Sequence, residues 1–243
     1  MPQPDAPHAV VTGASSGIGE AIARRLLRDG WHVTGLSRRA PAIDAPGFAH
    51  RAVDLASEDS IRTAAEGLRA DAFVHAAGLM STRPLGELDA AAGAAMWQIH
   101  VHAPTILADR LLAGMAHGNS GEGNPSAGST RRDGRIVIVG SRTAAGAPGR
   151  SQYAATKSAL SGLTRSWAAE LAPRGITVNL VSPAATDTPM LQDPARASVA
   201  PKLPPIGRLI RPEEVASTVA FLLSPEAAAI TGQNIVICGG SSL

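Results

Sequence analysis

Ala9-Val10-Val11-Thr12-Gly13-Ala14-Ser15-Ser16-Gly17-Ile18-Gly19 decides how the rest of the chain is read. Three apolar residues make a short buried strand, the glycines let the backbone turn sharply, and a helix opens at Gly17. It runs to Arg28 and is closed by Gly30. Glycines at such a turn also let the main chain approach a pyrophosphate, whose charge then meets free N–H groups and a helix N-terminus. The candidate phosphate-holding residues are therefore Gly13, Ser15, Ser16, Gly17, Ile18 and Gly19. Any glycine-rich turn between strand and helix looks much the same. Position gives this one weight, because dinucleotide folds hold their phosphates in the first strand-to-helix turn.

Working outward, apolar runs alternate with helix-length segments almost to the end of the chain. Trp31 to Leu36, Ala49 to Leu55 and Ala72 to His75 read as strands two to four. Ser57 reads as an N-cap with Ser60 at N3, opening a helix to about Arg69. Two helical stretches follow the fourth strand, the second from about Ala91 to Met115. Arg135 to Gly140 is a fifth strand, Ser151 to Leu171 a helix, and Ile176 to Val181 a sixth strand. Pro212 at a helix N1 position opens a helix to Leu223, and Asn234 to Cys238 closes the sheet. Apolar strands alternating with helices predict a doubly wound α/β fold: a Rossmann-type parallel sheet of seven strands, helices on both faces. At 243 residues the chain is expected to be one domain, 1–243. Residues 117–134, rich in glycine, serine and asparagine, are expected to be a flexible surface loop on the edge opposite the ligand crevice.

Formal charge is +2 and aromatics are 3% of residues, so no basic stripe interleaved with aromatics points to nucleic acid. Cys238 is alone, which excludes an intrachain disulfide and fits a reducing compartment. No apolar stretch approaches a membrane span, no metal site is expected, and the start of the chain lacks a signal pattern. A cytoplasmic location is the expectation.

After the second strand stands Ser37-Arg38-Arg39. A carboxylate there would accept hydrogen bonds from the adenosine ribose of NAD and repel a 2′-phosphate, whereas a guanidinium grips that phosphate bidentately. NADP(H) is therefore favoured over NAD(H). Asp54 and Leu55, after the third strand, are placed to hold the adenine by a polar contact and an apolar wall.

Tyr153 is the only tyrosine, and Lys157, one of two lysines, follows it four residues on. On a helix that spacing puts both side chains on one face. A phenol with a pKa near 10 does little proton chemistry at neutral pH, and a cation beside it favours the phenolate. Taken alone, the pair equally fits a solvated helix face.

With these residues assembled, the chain resembles the short-chain dehydrogenase/reductase family in its short single-domain branch, from Val10 to Gly240. The resemblance rests on the glycine loop, Asp54, Ala76-Ala77-Gly78, Ser141, Tyr153-x-x-x-Lys157, Asn179-Leu180-Val181-Ser182-Pro183 and Thr188. The ending, with Thr231-Gly232-Gln233 and Gly239-Gly240, is similar to ketoacyl-carrier-protein reductases and sugar or polyol dehydrogenases. The resemblance implies an oxidoreductase moving a hydride between NADP(H) and a small-molecule carbonyl or alcohol substrate. Tyr153 would be the proton donor or acceptor. Lys157 would lower its pKa and hold the nicotinamide ribose, and Ser141 would bind the reacting oxygen. Ala76, Ala77, Gly78, Pro183, Thr186 and Thr188 would line the cofactor.

The pattern is broken at three places. His100 stands where the family has an Asn in the long helix that holds a water for the catalytic Lys, and an imidazole can also hold or pass a proton. His75 replaces the first Asn of Asn-Asn-Ala-Gly, where a structural role is expected, and Ala184 replaces a Gly after Pro183. Residues 186–205 are expected to form a lid over the substrate. Relatives usually associate, so a homodimer or homotetramer is expected. The competing reading is a nucleotide-binding regulatory or scaffold protein of the same fold without turnover.

Overall fold

The computed structural model describes residues 6–115, 133–192 and 202–243. Its strands are β1 His8–Thr12, β2 His32–Ser37, β3 Phe48–Ala52, β4 Ala72–His75, β5 Arg135–Val139, β6 Thr177–Pro183 and β7 Asn234–Ile237. They form one sheet in the order β3-β2-β1-β4-β5-β6-β7, with every pair parallel. The helices are α1 Gly17–Arg28, α2 Glu58–Ala65, α3 Ala90–Trp97, α4 Ala103–Met115, α5 Ser151–Leu171 and α6 Pro212–Leu223.

Successive strand residues point to opposite faces, and here the two faces differ in bulk. Val10, Leu36, Phe73, Ile136, Ile138 and Leu180 pack beneath α2, α4 and α5, against Ile61, Leu107, Leu111 and Leu160. Ala9, Val11, Val33, Val74, Val137 and Val181 pack beneath α1 and α6, against Ile22, Leu26, Val215 and Val219. The central strands β4, β5 and β6 are therefore buried at every position and mostly apolar, as a sheet covered on both faces requires. β3 and β7, at the edges, are partly exposed.

All the expected strands and most of the expected helices appear, with changes at their ends. β3 stops at Ala52 rather than Leu55. The chain turns there, with the Asp54 carboxylate accepting from the Ala56 amide and Ser60 Oγ accepting from the Asp54 amide. Ser57 caps α2 through the Ser60 amide, and the helix ends at Ala65, four residues early, just before Gly67 at φ +65. The first of the two helical stretches expected after β4 is absent: residues 76–89, which include Gly78, Pro84 and Gly86, contain no helix. The long helix expected to Met115 is broken by a π turn at Gln98–His102, where the Ala103 N–H reaches the Gln98 carbonyl. Pro104 supplies no N–H to the turn before it, and the helix widens there. Of the loop expected at 117–134, residues 117–132 lie outside the described residues, as do residues 193–201 of the expected lid.

Phe73 is the largest fully buried side chain, at the centre of β4. Phe73→Ala is expected to lower unfolding free energy by about 3–5 kcal/mol through lost burial and the cavity left behind. In denaturant titration the midpoint should fall while the slope stays unchanged; a loss below about 1 kcal/mol would show that this core face collapses around the gap.

Candidate active site

The strand order reverses between β1 and β4, and the crevice at the carboxyl ends of the strands opens there. Thr12, the last residue of β1, organises that crevice. Its Oγ1 accepts from the amides of Ala76 and Ala77 and donates to His75 Nδ1, 2.9 Å away. Gly13 follows at φ +70, and a Cβ on it would lie 2.8 Å from the Ala77 Cα. A Cβ on Gly19 would lie 2.3 Å from the Gly13 carbonyl oxygen, so α1 begins as close to the loop as backbone allows. Ser16 caps α1 without using its side chain on the helix. The loop thus offers a helix N-terminus and free hydroxyls to a phosphate, and a nucleotide pyrophosphate fits this cradle.

Arg38 and Arg39 are both exposed beyond β2, with no carboxylate partner among the described residues. The Ser37 hydroxyl donates to the Arg39 carbonyl and contacts His50, so it shapes the turn that presents the two arginines. Asp54 is exposed and Leu55 buried at the end of the neighbouring strand.

Across the crevice, Tyr153 and Lys157 sit on the first two turns of α5, both buried. Lys157 Nζ lies 5.9 Å from the Tyr153 ring centroid and donates to the Val139 carbonyl at 3.0 Å. Burial pushes its ammonium down to about 8. Ser141, after β5, accepts the Thr143 amide on Oγ at 3.1 Å, and its hydroxyl hydrogen remains available to another acceptor. Ser141, Tyr153, Lys157, Gly78, Ile18, Pro183, Thr186 and Thr188 line one cavity of about 820 Å³. The Thr186 hydroxyl is used on the Ala184 carbonyl, and the Thr188 hydroxyl leans 3.4 Å from the Thr186 carbonyl.

His100 lies beneath this group in the π turn, fully buried and edge-on to the Tyr153 ring at 5.5 Å between centroids. The Leu79 amide donates to its Nε2 at 3.1 Å, so Nδ1 carries the proton and donates to Thr156 Oγ1 at 2.8 Å. Thr156 donates in turn to the Tyr153 carbonyl. Both ring nitrogens are thus engaged, and a proton passes through the ring only if the Leu79 or Thr156 contact opens. Burial, then the charge of Lys157 and then His75, hold the imidazole down to about 2. His75, also fully buried, is held to about 3 by burial and Lys157, while its Nε2 faces the Ile99 carbonyl without reaching hydrogen-bond geometry.

Sequence reasoning passed over Thr12 as a hub, Thr156 as the partner of His100, and two arginines on the cavity wall, Arg142 and Arg150. The arginines were signalled by adjacency: one follows Ser141 directly and the other precedes Tyr153 by three residues.

Residues 13–242 match the family model described as enoyl-(acyl carrier protein) reductase. The chain is 38% identical to cis-4-hydroxycyclohexanecarboxylate dehydrogenase of Sinomonas cyclohexanicum, covering 96% of this chain and 95% of that protein. A solved structure described as a short-chain dehydrogenase/reductase family protein superposes with TM-score 0.84 at 33% identity, covering 99% of this chain and 98% of the other. The chain belongs to the short-chain dehydrogenase/reductase family. It is an oxidoreductase, and its cofactor is a nicotinamide nucleotide. Another member, the 3-ketoacyl-(acyl-carrier-protein) reductase of Brucella melitensis solved with NADH, also has TM-score 0.84, at 27% identity over 98% of each chain. Among the described residues no helix is long and apolar enough to cross a membrane.

The two depressed histidines give acid stability a sign. Their folded-state pKa values lie below the unfolded 6.5, so their contribution is complete above about pH 6.5. It is lost as pH falls toward 3, at about 1.4 kcal/mol per unit for each ring. Replacing either by Asn is expected to flatten the acid limb of unfolding free energy between pH 6.5 and 4, read from denaturant midpoints. A limb unchanged in both variants would mean that the rings protonate in place.

Proposed function

We propose that the protein transfers a hydride between NADP(H) and a ketone or the corresponding alcohol. The observation that carries this is the burial of Tyr153 beside the Lys157 ammonium, on the wall of the cavity that Ser141 and Ile18 of the glycine loop also line. When bound, the nicotinamide supplies or accepts the hydride; the side chains do the rest. Tyr153 gives its phenolic proton to the carbonyl oxygen as the carbon is reduced, or removes it from an alcohol in reverse. Ser141 donates its free hydroxyl hydrogen to the same oxygen and fixes the carbonyl. Lys157 holds the nicotinamide ribose and favours the phenolate. His100 keeps the Tyr153 ring and the Gly78-Leu79 backbone in place, and it stays neutral at working pH.

The preference for NADP(H) rests on Arg38 and Arg39, which stand directly after β2 in place of an acid. A lid role for residues 186–192 and 202–205 is supported by Met190 and Leu191 in the first part and Lys202, Leu203 and Pro205 in the second, which line the cavity.

Tyr153→Phe is expected to abolish turnover across a panel of ketones, sugars, polyols and acyl thioesters while nucleotide affinity stays nearly intact. Residual activity within tenfold of wild type would reassign the acid. Arg38→Ala should weaken NADPH about ten- to a hundredfold and NADH little, as loss of a charge-assisted contact dictates. Equal losses for both nucleotides in fluorescence titrations would remove the 2′-phosphate from this site, and the Arg38/Arg39 double variant excludes substitution of one arginine for the other.

A further inference from the structure

We infer that the substrate is an oxo or hydroxy acid whose carboxylate is held by Arg150 and Arg142. The inference rests on the reductase reading above and names the chemistry of its substrate. The cavity beyond Ser141 and Tyr153 is walled by Arg142 and Arg150, with Lys202 at its rim, and no Asp or Glu among the described residues lines it. None of these three cations has a carboxylate partner among the described residues. Arg142 uses one nitrogen, Nη1, on the Ser241 carbonyl at 3.2 Å and has the rest of its fork to spare. The Arg150 guanidinium, on the cavity wall, makes no hydrogen bond or ion pair with any described residue. Its donors are therefore uncommitted to the protein and suited to an anion that enters the cavity.

These charges stand apart from the places that hold the nucleotide. The glycine loop follows β1 and Arg38 follows β2, whereas both arginines belong to the connection from β5 to α5. Arg142 is the residue after Ser141, and Arg150 caps α5 one turn before Tyr153. One turn is about 5 Å of helix, so the anion they meet is close to the reacting carbon. A charge on a distant carrier arm does not sit there; a charge on the body of a small substrate does. A planar fork fits the two oxygens of a carboxylate side by side, and a cavity whose charged side chains are all cationic concentrates such ions. The apolar residues that share this cavity, Leu79, Met80 and Leu203 among them, suit the carbon skeleton that separates carbonyl from carboxylate.

The test compares kcat/KM, with NADPH and with NADH, for 4-oxocyclohexanecarboxylate and 4-oxopentanoate against their methyl esters. Dihydroxyacetone phosphate against dihydroxyacetone tests whether phosphate is the anion instead. Calorimetric titration of cyclohexanecarboxylate and cyclohexanecarboxamide, with oxidised nucleotide present, reads recognition without turnover. The acids are expected to exceed their esters about ten- to a hundredfold, and cyclohexanecarboxylate to bind that much more tightly than the amide. Arg150→Gln and Arg142→Gln should each bring these ratios toward one, and Arg150→Lys should restore part of the preference. Acid-to-ester and acid-to-amide ratios near one in the wild type, ratios untouched by both Gln variants, or preference for the phosphate alone would overturn the inference. Carboxylate-selective binding with no reduction of any ketone by either nucleotide would uphold the anion site and remove the reductase reading instead.

Discussion

The ammonium of Lys157 is buried at the carboxyl end of β5 with the Val139 carbonyl as its acceptor, and the neighbouring chemistry follows from accommodating that charge. Burial draws its pKa down to about 8, yet leaves it cationic at neutral pH. Any base nearby must then be neutral, and both are: His75 and His100 are held far below their ordinary value by burial and by this charge. Space above it is kept by Gly78, where an added Cβ would come 3.2 Å from His100 Nε2 and 3.7 Å from Lys157 Nζ. The phenol one turn away is the group whose ionisation the cation can assist.

Beneath the site, a chain of hydrogen bonds ties three elements together. Leu79, from the connection after β4, donates to His100 in the π turn; His100 donates to Thr156 on α5; Thr156 donates to the Tyr153 carbonyl. Each member has one direction open to it, so the tautomer of His100 is set by its neighbours. The widened turn that carries His100 is traceable to a proline that gives the helix no N–H. Local backbone chemistry in α3 and α4 thereby decides which ring lies against the phenol.

The fold was legible because its signals are periodic and redundant. The alternation of strands and helices, the Ser57 cap and the glycine turn each point to the same sheet, and all seven strands are where the apolar runs lie. The catalytic-type pair was legible because four-residue spacing on a helix brings two side chains together wherever the helix sits. Connections were not legible in the same way. Residues 76–89 contain apolar residues at helix-like spacing, but their backbone groups are taken by Thr12 and His100 from elsewhere in the chain. The π turn depends on one missing N–H, which a period of 3.6 does not register. Arg142 and Arg150 looked like two of many arginines until the cavity placed them beside Ser141 and Tyr153.

The sheet's strand order carries a consequence for how the chain reaches this structure. β1 is an interior strand whose second neighbour, β4, is about sixty residues further along, Thr12 pairing with His75. Until β4 has been made, one edge of β1 presents unpaired N–H and C=O groups alongside apolar side chains, a surface that invites association with other chains. Contacts so distant in sequence also make folding slow relative to helical proteins of similar stability. The Thr12 hydroxyl that arranges the crevice forms its contacts with His75, Ala76 and Ala77 across that same junction. Synthesis and assembly of the site therefore share a timetable: the nucleotide crevice exists only once its central pair of strands has closed.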